Sequence, residues 1–401
     1  MALRQTLNFL KTEAGGGALL IAAALVGFAL ANSPLAQAYF DVINADFTIQ
    51  LGGFIETLTV EGWIKQGLMA VFFFVIGLEI KQEVIKGELS SPRKLALPVA
   101  AALGGMLVPA LVYLALNLGP GGAPQGWAIP TATDIAFALA ALALIGRGLP
   151  QSLRIFLLAM AIADDLGAVA LIGVLFTQHI HAWPLAGAAL TLIGLVALSE
   201  WREAPLLFRV AGYLVLGAFT LKSGVNTSLA GVAGALTVPI RSGRPGQEAV
   251  LGRFLRSLHP YVAYGVLPLF ALTTAGVSLG GLTPARMLTP IPLGLIAALV
   301  LGKQAGVIGA VWIAIRSGLA RKPTGATWLE LYGVAALCGV GFTVSLFITA
   351  LALDTGPRSP QSEAVLAVII GSLIAATWGG AVLAAAAARR RRLRAADDEA
   401  D

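Results

Sequence analysis

A chain of 401 residues that is 57% apolar and 12% charged, with a mean hydropathy of +0.84, is not an ordinary water-soluble domain, in which about a quarter of the residues are charged. Its single cysteine, Cys338, excludes an intramolecular disulfide. A net charge of +6 leaves nucleic acid open as a partner only until the basic residues are located along the chain.

The first apolar run, Ala14–Leu30, ends at Asn32-Ser33-Pro34 and has no good small-residue cleavage site behind it, so it reads as a retained span rather than a signal peptide. Further apolar stretches follow at about 59–80, 96–117, 121–145, 151–176, 183–199, 206–220, 224–240, 250–279, 289–315, 327–352 and 362–386. About 20 apolar residues in a helix cross the hydrocarbon of a bilayer. The expectation is an all-α polytopic membrane protein of about twelve spans forming a single transmembrane domain. Within it, a core bundle covers about 96–176 and 289–386, an interface part about 14–80 and 183–279, and a basic tail 387–401.

Between the first two spans, Phe47-Thr48-Ile49-Gln50-Leu51 and Phe54-Ile55-Glu56-Thr57-Leu58 alternate around Gly52-Gly53, the pattern of a tight β-hairpin. Its open edges suit pairing with a second copy, which makes residues 47–58 a homodimer contact; a loop lying on the protein's own surface is the other reading.

Lys81, Lys86, Arg93 and Lys94, then Arg147, Arg202, Arg241, Arg244 and Arg253, then Arg316, Arg321 and Lys322, and finally the Arg389–Arg392 run all follow even-numbered spans. The opposite loops hold Asp41, Asp46, Glu56 and Glu61 and few bases (Lys65, Lys222, Arg286, Arg358). Lys and Arg accumulate on the cytoplasmic side, which puts both termini inside. The positive balance therefore reports membrane topology. No nucleic-acid partner is expected, and the arginine-rich tail faces anionic headgroups of the lipid bilayer.

Four charges remain deep inside the spans. Asp164 and Asp165 interrupt a run, Ile155–Leu175, that is otherwise free of charge; Asp134 lies in the fourth span and Lys303 in the tenth. Ionised groups at such depth are costly, so they are expected to face one another at a functional site. Pro130 lacks an N–H, and Thr131 and Thr133 compete for backbone carbonyls, so the helix should break just before Asp134. A second interruption is expected at 338–345, where Gly339 and Gly341 permit unwinding and Thr343 and Ser345 supply hydroxyls. Two broken helices in corresponding positions predict an inverted repeat of spans three to five and ten to twelve, with an ion site at the midplane where bare half-helix ends meet. Adjacent helical residues point about 100° apart. One acid of the Asp164–Asp165 pair therefore faces the break at Asp134 while the other turns to a neighbouring helix, where Lys303 is available. Carboxylates, hydroxyls and carbonyls without a cluster of His or Cys suit a small hard cation rather than a soft metal. Such carboxylates hold protons or a cation but not both, which is the chemistry of exchange. An intramembrane aspartic protease also needs two acids, but these lack the Tyr-Asp and Gly-x-Gly-Asp settings, and Lys303 would spoil a shared proton. A sodium-coupled solute symporter would need a larger cavity.

At these residues the sequence resembles the bacterial NhaA sodium/proton antiporter family. The resemblance rests on Ala132-Thr133-Asp134-Ile135-Ala136-Phe137, Ala163-Asp164-Asp165-Leu166-Gly167, Gly302-Lys303, Gly77-Leu78-Glu79 and Gly341-Phe342-Thr343 with Ser345, and runs from about Ala18 to about Ala384. The family is itself a standard example of the inverted-repeat architecture. The resemblance implies electrogenic, pH-dependent exchange of cytoplasmic Na⁺ or Li⁺ for external H⁺ in the inner membrane, with no cofactor and no enzyme activity. By motif, Asp134, Asp165 and Thr133 correspond to the Na⁺ site and Asp164 to the partner of Lys303. Glu79 and Glu83 are candidates for pH regulation. The sequence departs from the family pattern at Asn226, where some members have His, at Leu255, close to an acid in others, and at Thr274, where others carry Asn.

Overall fold

The computed structural model describes residues 13–398 except 53, 88–90, 147, 178–179, 202–203, 241–248, 281–282 and 354–359. Gly53 of the expected turn, and Arg147, Arg202, Arg241, Arg244 and Arg358 of the charge pattern, lie outside the described residues. Apolar runs bounded by Pro, Gly and polar residues give helices in every range where a span is expected. In order these are α1 (Glu13–Ala31), α2 (Ala36–Ile43), the strands β1 (Asp46–Leu51) and β2 (Phe54–Thr59), then α3 (Val60–Trp63) and α4 (Met69–Lys86) joined by a π turn at Ile64–Leu68. They continue as α5 (Pro92–Asn117), a 3₁₀ segment (Pro124–Thr131), α6 (Ile135–Ile145), α7 (Gln151–Leu175), α8 (Ala182–Glu200), α9 (Leu206–Ser223) and α10 (Thr227–Thr237). α11 (Val250–Tyr261) and α12 (Leu267–Thr274) flank a second π turn, and α13 (Pro290–Ala297) and α14 (Lys303–Arg316) a third at Ala298–Gly302. α15 (Trp328–Leu337), α16 (Phe342–Ala352) and α17 (Pro360–Asp398) complete the chain.

Among the described residues seven helical segments are long and apolar enough to cross a membrane, and nine if each of the bent pairs α1–α2 and α15–α16 counts as one span. α4 does not qualify because Glu79, Lys81, Glu83 and Lys86 crowd its second half. The protein is a mostly helical, multi-pass membrane protein with a small two-stranded sheet.

The chain forms two compact units, 1–22 with 88–168 and 277–401, and 23–87 with 169–276. In the first, α5 and α14 lie in close contact through glycines. A Cβ on Gly104 would stand 2.3 Å from the Gly306 carbonyl oxygen, and one on Gly306 would stand 2.1 Å from that of Gly104. Small residues let helix backbones approach in this way where lipid provides no hydrophobic drive between helices. The opposite face of α5 presents Leu103, Leu107 and Leu111, each more than half exposed and spaced by four, as a lipid-facing stripe. Leu97, Leu157, Met160, Val311, Val334 and Leu337 pack in the core of this unit. Gly104→Val is expected to cost about 1–3 kcal/mol through overpacking. It should lower the thermal midpoint in detergent, whereas Gly309→Ala, with nothing within 4 Å of its added Cβ, should leave it unchanged or raise it.

In the second unit, Phe74, Tyr213 and Phe254 form a three-ring cluster. The Lys81 ammonium donates to the carbonyls of Leu236 and Val238, placing a cation at the C-terminal end of α10. The hairpin is present and pairs Asp46 with Thr59 through Leu51 with Phe54, one residue longer in each strand than the alternation predicts. Gly52 supplies the left-handed turn residue, φ +59°. Within this unit the hairpin is fastened by Trp63 Nε1 donating to Phe47 O (2.7 Å) and by Lys222 Nζ donating to Ile55 O (2.9 Å). Phe47 and Ile55 remain exposed.

Candidate functional site

The site is built wholly within the first unit, from two interrupted helices and two continuous ones. The expected α-helical first half of the fourth span is instead a 3₁₀ segment, Pro124–Thr131. The entry to it is tied down by Tyr113 Oη donating to Ala123 O (2.9 Å), with Gly126 so close beneath that a Cβ would meet Tyr113 Oη at 2.4 Å. Pro130 offers no N–H to prolong it, and Thr131 Oγ1 donates back to Ala128 O (2.7 Å). The chain then extends through Ala132 to Asp134, whose Oδ1 accepts from Phe137 N–H (3.0 Å) as the N-cap of α6.

The second interruption separates α15 from α16 at Cys338–Gly341, with a bend of 42°. Its glycines do a different job from the one the sequence suggests. Neither has a positive φ, and Gly341 sits at φ −93°. They are needed for space: a Cβ on Gly339 would lie 2.4 Å from Leu299 O, and one on Gly341 would lie 2.1 Å from Ser345 Oγ.

The half-helix ends are not bare, as the sequence reading expects, but stitched to one another. Asp134 N–H donates to Val340 O (2.7 Å), Thr133 Oγ1 to Cys338 O (3.1 Å) and Ser345 Oγ to Ile129 O (2.7 Å). Asp134 Oδ2 accepts from both the N–H (3.1 Å) and the hydroxyl (2.7 Å) of Thr343 in the first turn of α16. One carboxylate thus caps the N-termini of both half-helices, α6 and α16, where N–H groups lack partners of their own. The two donors that precede Thr343 N–H, those of Gly341 and Phe342, point to Ser372 Oγ on α17 (3.2 and 3.3 Å).

Lys303 enters from α14, immediately after the Ala298–Gly302 π turn, a distortion common at functional positions. Its stem passes over Gly105 of α5. The ammonium is fully buried and uses all three of its donors: Asp164 Oδ2 at 2.9 Å, Thr131 O at 2.6 Å and Thr133 Oγ1 at 3.0 Å. Asp164 is therefore the member of the acid pair that meets the lysine. Its second oxygen, Oδ1, is buried with no hydrogen-bond donor on it. Asp165, 2% exposed, is the next residue along the unbroken α7.

The structure thus brings Thr131, Thr133, Asp134, Asp164, Lys303, Thr343 and Ser345 into one buried network with the backbone at Pro130, Gly339 and Gly341 around it. Glu79 and Glu83 lie on α4 in the second unit. Asn226, one of the expected departures from the family pattern, is the N-cap of α10 and accepts from Ser228 N–H at 3.0 Å. The sequence reading missed Ser372 and the carbonyls of Ile129, Cys338 and Val340. The carbonyls leave no trace in a sequence, and Ser372 shows there only as one hydroxyl in an apolar run.

The family model described as Na⁺/H⁺ antiporter 1 matches residues 7–383. The Na⁺/H⁺ antiporter NhaA of Rhodospirillum rubrum is 47% identical over 391 residues, covering 94% of this chain and 96% of its own length. NhaA 2 of Pseudomonas syringae pv. syringae is 47% identical over 94% of each chain, and NhaA 1 of Syntrophotalea carbinolica 43% over 94% of this chain and 96% of its own. A solved structure of the sodium proton antiporter MjNhaP1 from Methanocaldococcus jannaschii aligns with a TM-score of 0.50 at 13% identity, over 96% of this chain and 99% of that one, a likeness of fold alone. With its model matched over almost the whole length and relatives approaching half identity, the chain belongs to the Na⁺/H⁺ antiporter 1 family.

Proposed function

We propose that this protein exchanges cytoplasmic Na⁺ or Li⁺ for external H⁺, electrogenically, by competition of cation and protons for buried carboxylates and alternating access to the two sides of the membrane. The observation that carries the reading is the buried lysine–carboxylate pair, Lys303–Asp164, set beside Asp165 and against two interrupted helices joined through Asp134. In this reading Asp165, Asp134 and Thr133 hold the cation, Asp164 and Lys303 secure the site, and the carboxylates carry the protons. A proton-sharing aspartate dyad of the protease type is disfavoured because one acid is committed to an ammonium. The relatives are named for Na⁺/H⁺ antiport, which supports the same assignment.

The same reading takes the chain as twelve spans with an inverted repeat and both termini cytoplasmic, α1–α2 and the shorter helices included. Everted membrane vesicles test it. Adding Na⁺ or Li⁺ to vesicles holding an acid-inside gradient should dissipate that gradient and generate a membrane potential. Vesicles whose gradient is indifferent to both cations at every pH would refute it.

The hairpin is the proposed homodimer contact, with Phe47 and Ile55 as its exposed apolar residues. Deleting 47–58 should weaken dimers in mild detergent without abolishing exchange, because the deep acids lie elsewhere. Dimers that persist unweakened would remove the hairpin from that role. For Glu79 and Glu83 the proposal is pH regulation, read out as a displaced pH profile in Gln variants with full turnover at the optimum.

A further inference from the structure

Ser372 is 5% exposed on the face of α17 that carries Ala375 and Gly379, three and seven residues on. This face lies directly on the second interruption. A Cβ on Gly339 would meet Ala375 Cβ at 2.8 Å, and one on Gly379 would meet Leu337 N at 2.8 Å. Thr377, an exposed hydroxyl in the middle of the same helix, donates back to its own backbone at Leu373 O and Ile374 O. Ser372 instead accepts from two consecutive N–H groups of another helix, Gly341 and Phe342. The next N–H along, Thr343, is the one taken by Asp134. Three consecutive donors at the start of α16 are thus divided, two to a neutral hydroxyl and one to the carboxylate.

We propose that Ser372 is a positioning residue for the ion site: by satisfying the N–H groups of Gly341 and Phe342, its hydroxyl limits the backbone's demand on Asp134 and keeps that carboxylate available to a cation. The inference rests on the reading of Asp134 as a cation-site acid. Without the hydroxyl, two buried donors at a helix N-terminus lack an acceptor, and the acceptor beside them is the Asp134 carboxylate. A carboxylate drawn onto two further backbone donors, beside the Phe137 and Thr343 N–H groups it already accepts, binds Na⁺ less well, because its lone pairs and charge are already used. Turnover at saturating Na⁺ is affected far less, since the pair Lys303–Asp164 is untouched.

The test is the apparent KM for Na⁺ and Li⁺, and Vmax per inserted protein, in everted vesicles carrying Ser372→Ala, Ser372→Cys and Ser372→Thr. Loss of a buried acceptor should raise the KM of the Ala variant on the order of tenfold with Vmax largely kept. The Thr variant, which restores the hydroxyl, should stay close to wild type, and the Cys variant, whose sulfur is a weak acceptor, should fall between. A wild-type KM in the Ala and Cys variants overturns the proposal, as does an equal loss of Vmax in all three with KM unmoved. If the Ala variant does not accumulate in the membrane, the Cys and Thr variants decide it, and equal KM values in those two overturn it. Asp134→Asn is measured alongside. An unmoved KM there sinks the assignment of Asp134 itself, whereas a moved KM there with unmoved Ser372 variants sinks only the inference about Ser372.

Discussion

Asp165→Asn is expected to reduce Na⁺- and Li⁺-dependent proton movement to the background of vesicles lacking the protein, while the protein remains inserted and stable. The two adjacent acids of α7 have separate positions, because the helix turns by about 100° from one residue to the next. Asp164 meets the lysine, with Oδ2 at 2.9 Å from Lys303 Nζ. In the proposed exchange, binding and releasing the transported ion then falls to Asp165 together with Asp134. An amide has nearly the same shape as a carboxylate, so α7, continuous from Gln151 to Leu175, keeps its packing. The amide neither titrates nor offers a full charge to a bare cation, and both halves of the exchange are lost together. Near-normal exchange by the Asn variant, measured as gradient dissipation across a range of pH, would remove Asp165 from the cation site.

The parts of this molecule that were legible in the sequence are those where a residue type is out of place for its surroundings. Asp134, Asp164, Asp165 and Lys303 stand out because charge inside an apolar run has a large energetic cost and few tolerable explanations. The hairpin stands out because strict alternation around Gly52 has one geometric solution. What stayed hidden depends on which surface faces which. The 3₁₀ form of Pro124–Thr131 is held at its entry, Ala123, by Tyr113, whose Oη donates to Ala123 O (2.9 Å), and by Asn117, whose Oδ1 accepts from Ala123 N–H (3.4 Å), both from the preceding helix. Gly339 and Gly341 read as conformational residues in the sequence, yet neither has a positive φ, and the nearness of Leu299, Ala375 and Ser345 is what requires them to be small. Ser372 is one small residue among many in α17, and its role depends on the donors that another helix directs at it. The π turn before Lys303 has no sequence signal, although it sets the lysine's register in α14.

Lys303→Ala should move the activity profile to alkaline pH and destabilise the protein, and Lys303→Arg should preserve electrogenic exchange. Removing the ammonium takes a cation from 2.9 Å of Asp164 Oδ2 and leaves Thr131 O and Thr133 Oγ1 without their shared donor. Removing one partner of a buried ion pair costs about 3–5 kcal/mol, so the thermal midpoint in detergent should fall well below that of wild type. The sign of the pH effect follows from charge. Without a neighbouring cation, Asp164 has to give up its proton against burial alone, and a cation enters only a site cleared of protons. Exchange therefore begins at higher pH. Arginine decides whether the lysine is itself a carrier, because a guanidinium keeps its charge at every accessible pH. The geometry favours a supporting role. All three ammonium protons are engaged, one with the carboxylate and two with the residues flanking Ala132 at the first interruption, so Lys303 clamps α7 and α14 to the extended segment that leads into Asp134. A guanidinium can hold the same acceptors with its wider fork, at some cost to affinity where the stem passes over Gly105. Charge movement by the Arg variant, recorded as Na⁺-induced potential in everted vesicles, should persist with a raised KM. Loss of that potential with Na⁺ uptake intact would make Lys303 a proton carrier, and an unmoved or acid-shifted profile in the Ala variant would break the link between Lys303 and Asp164.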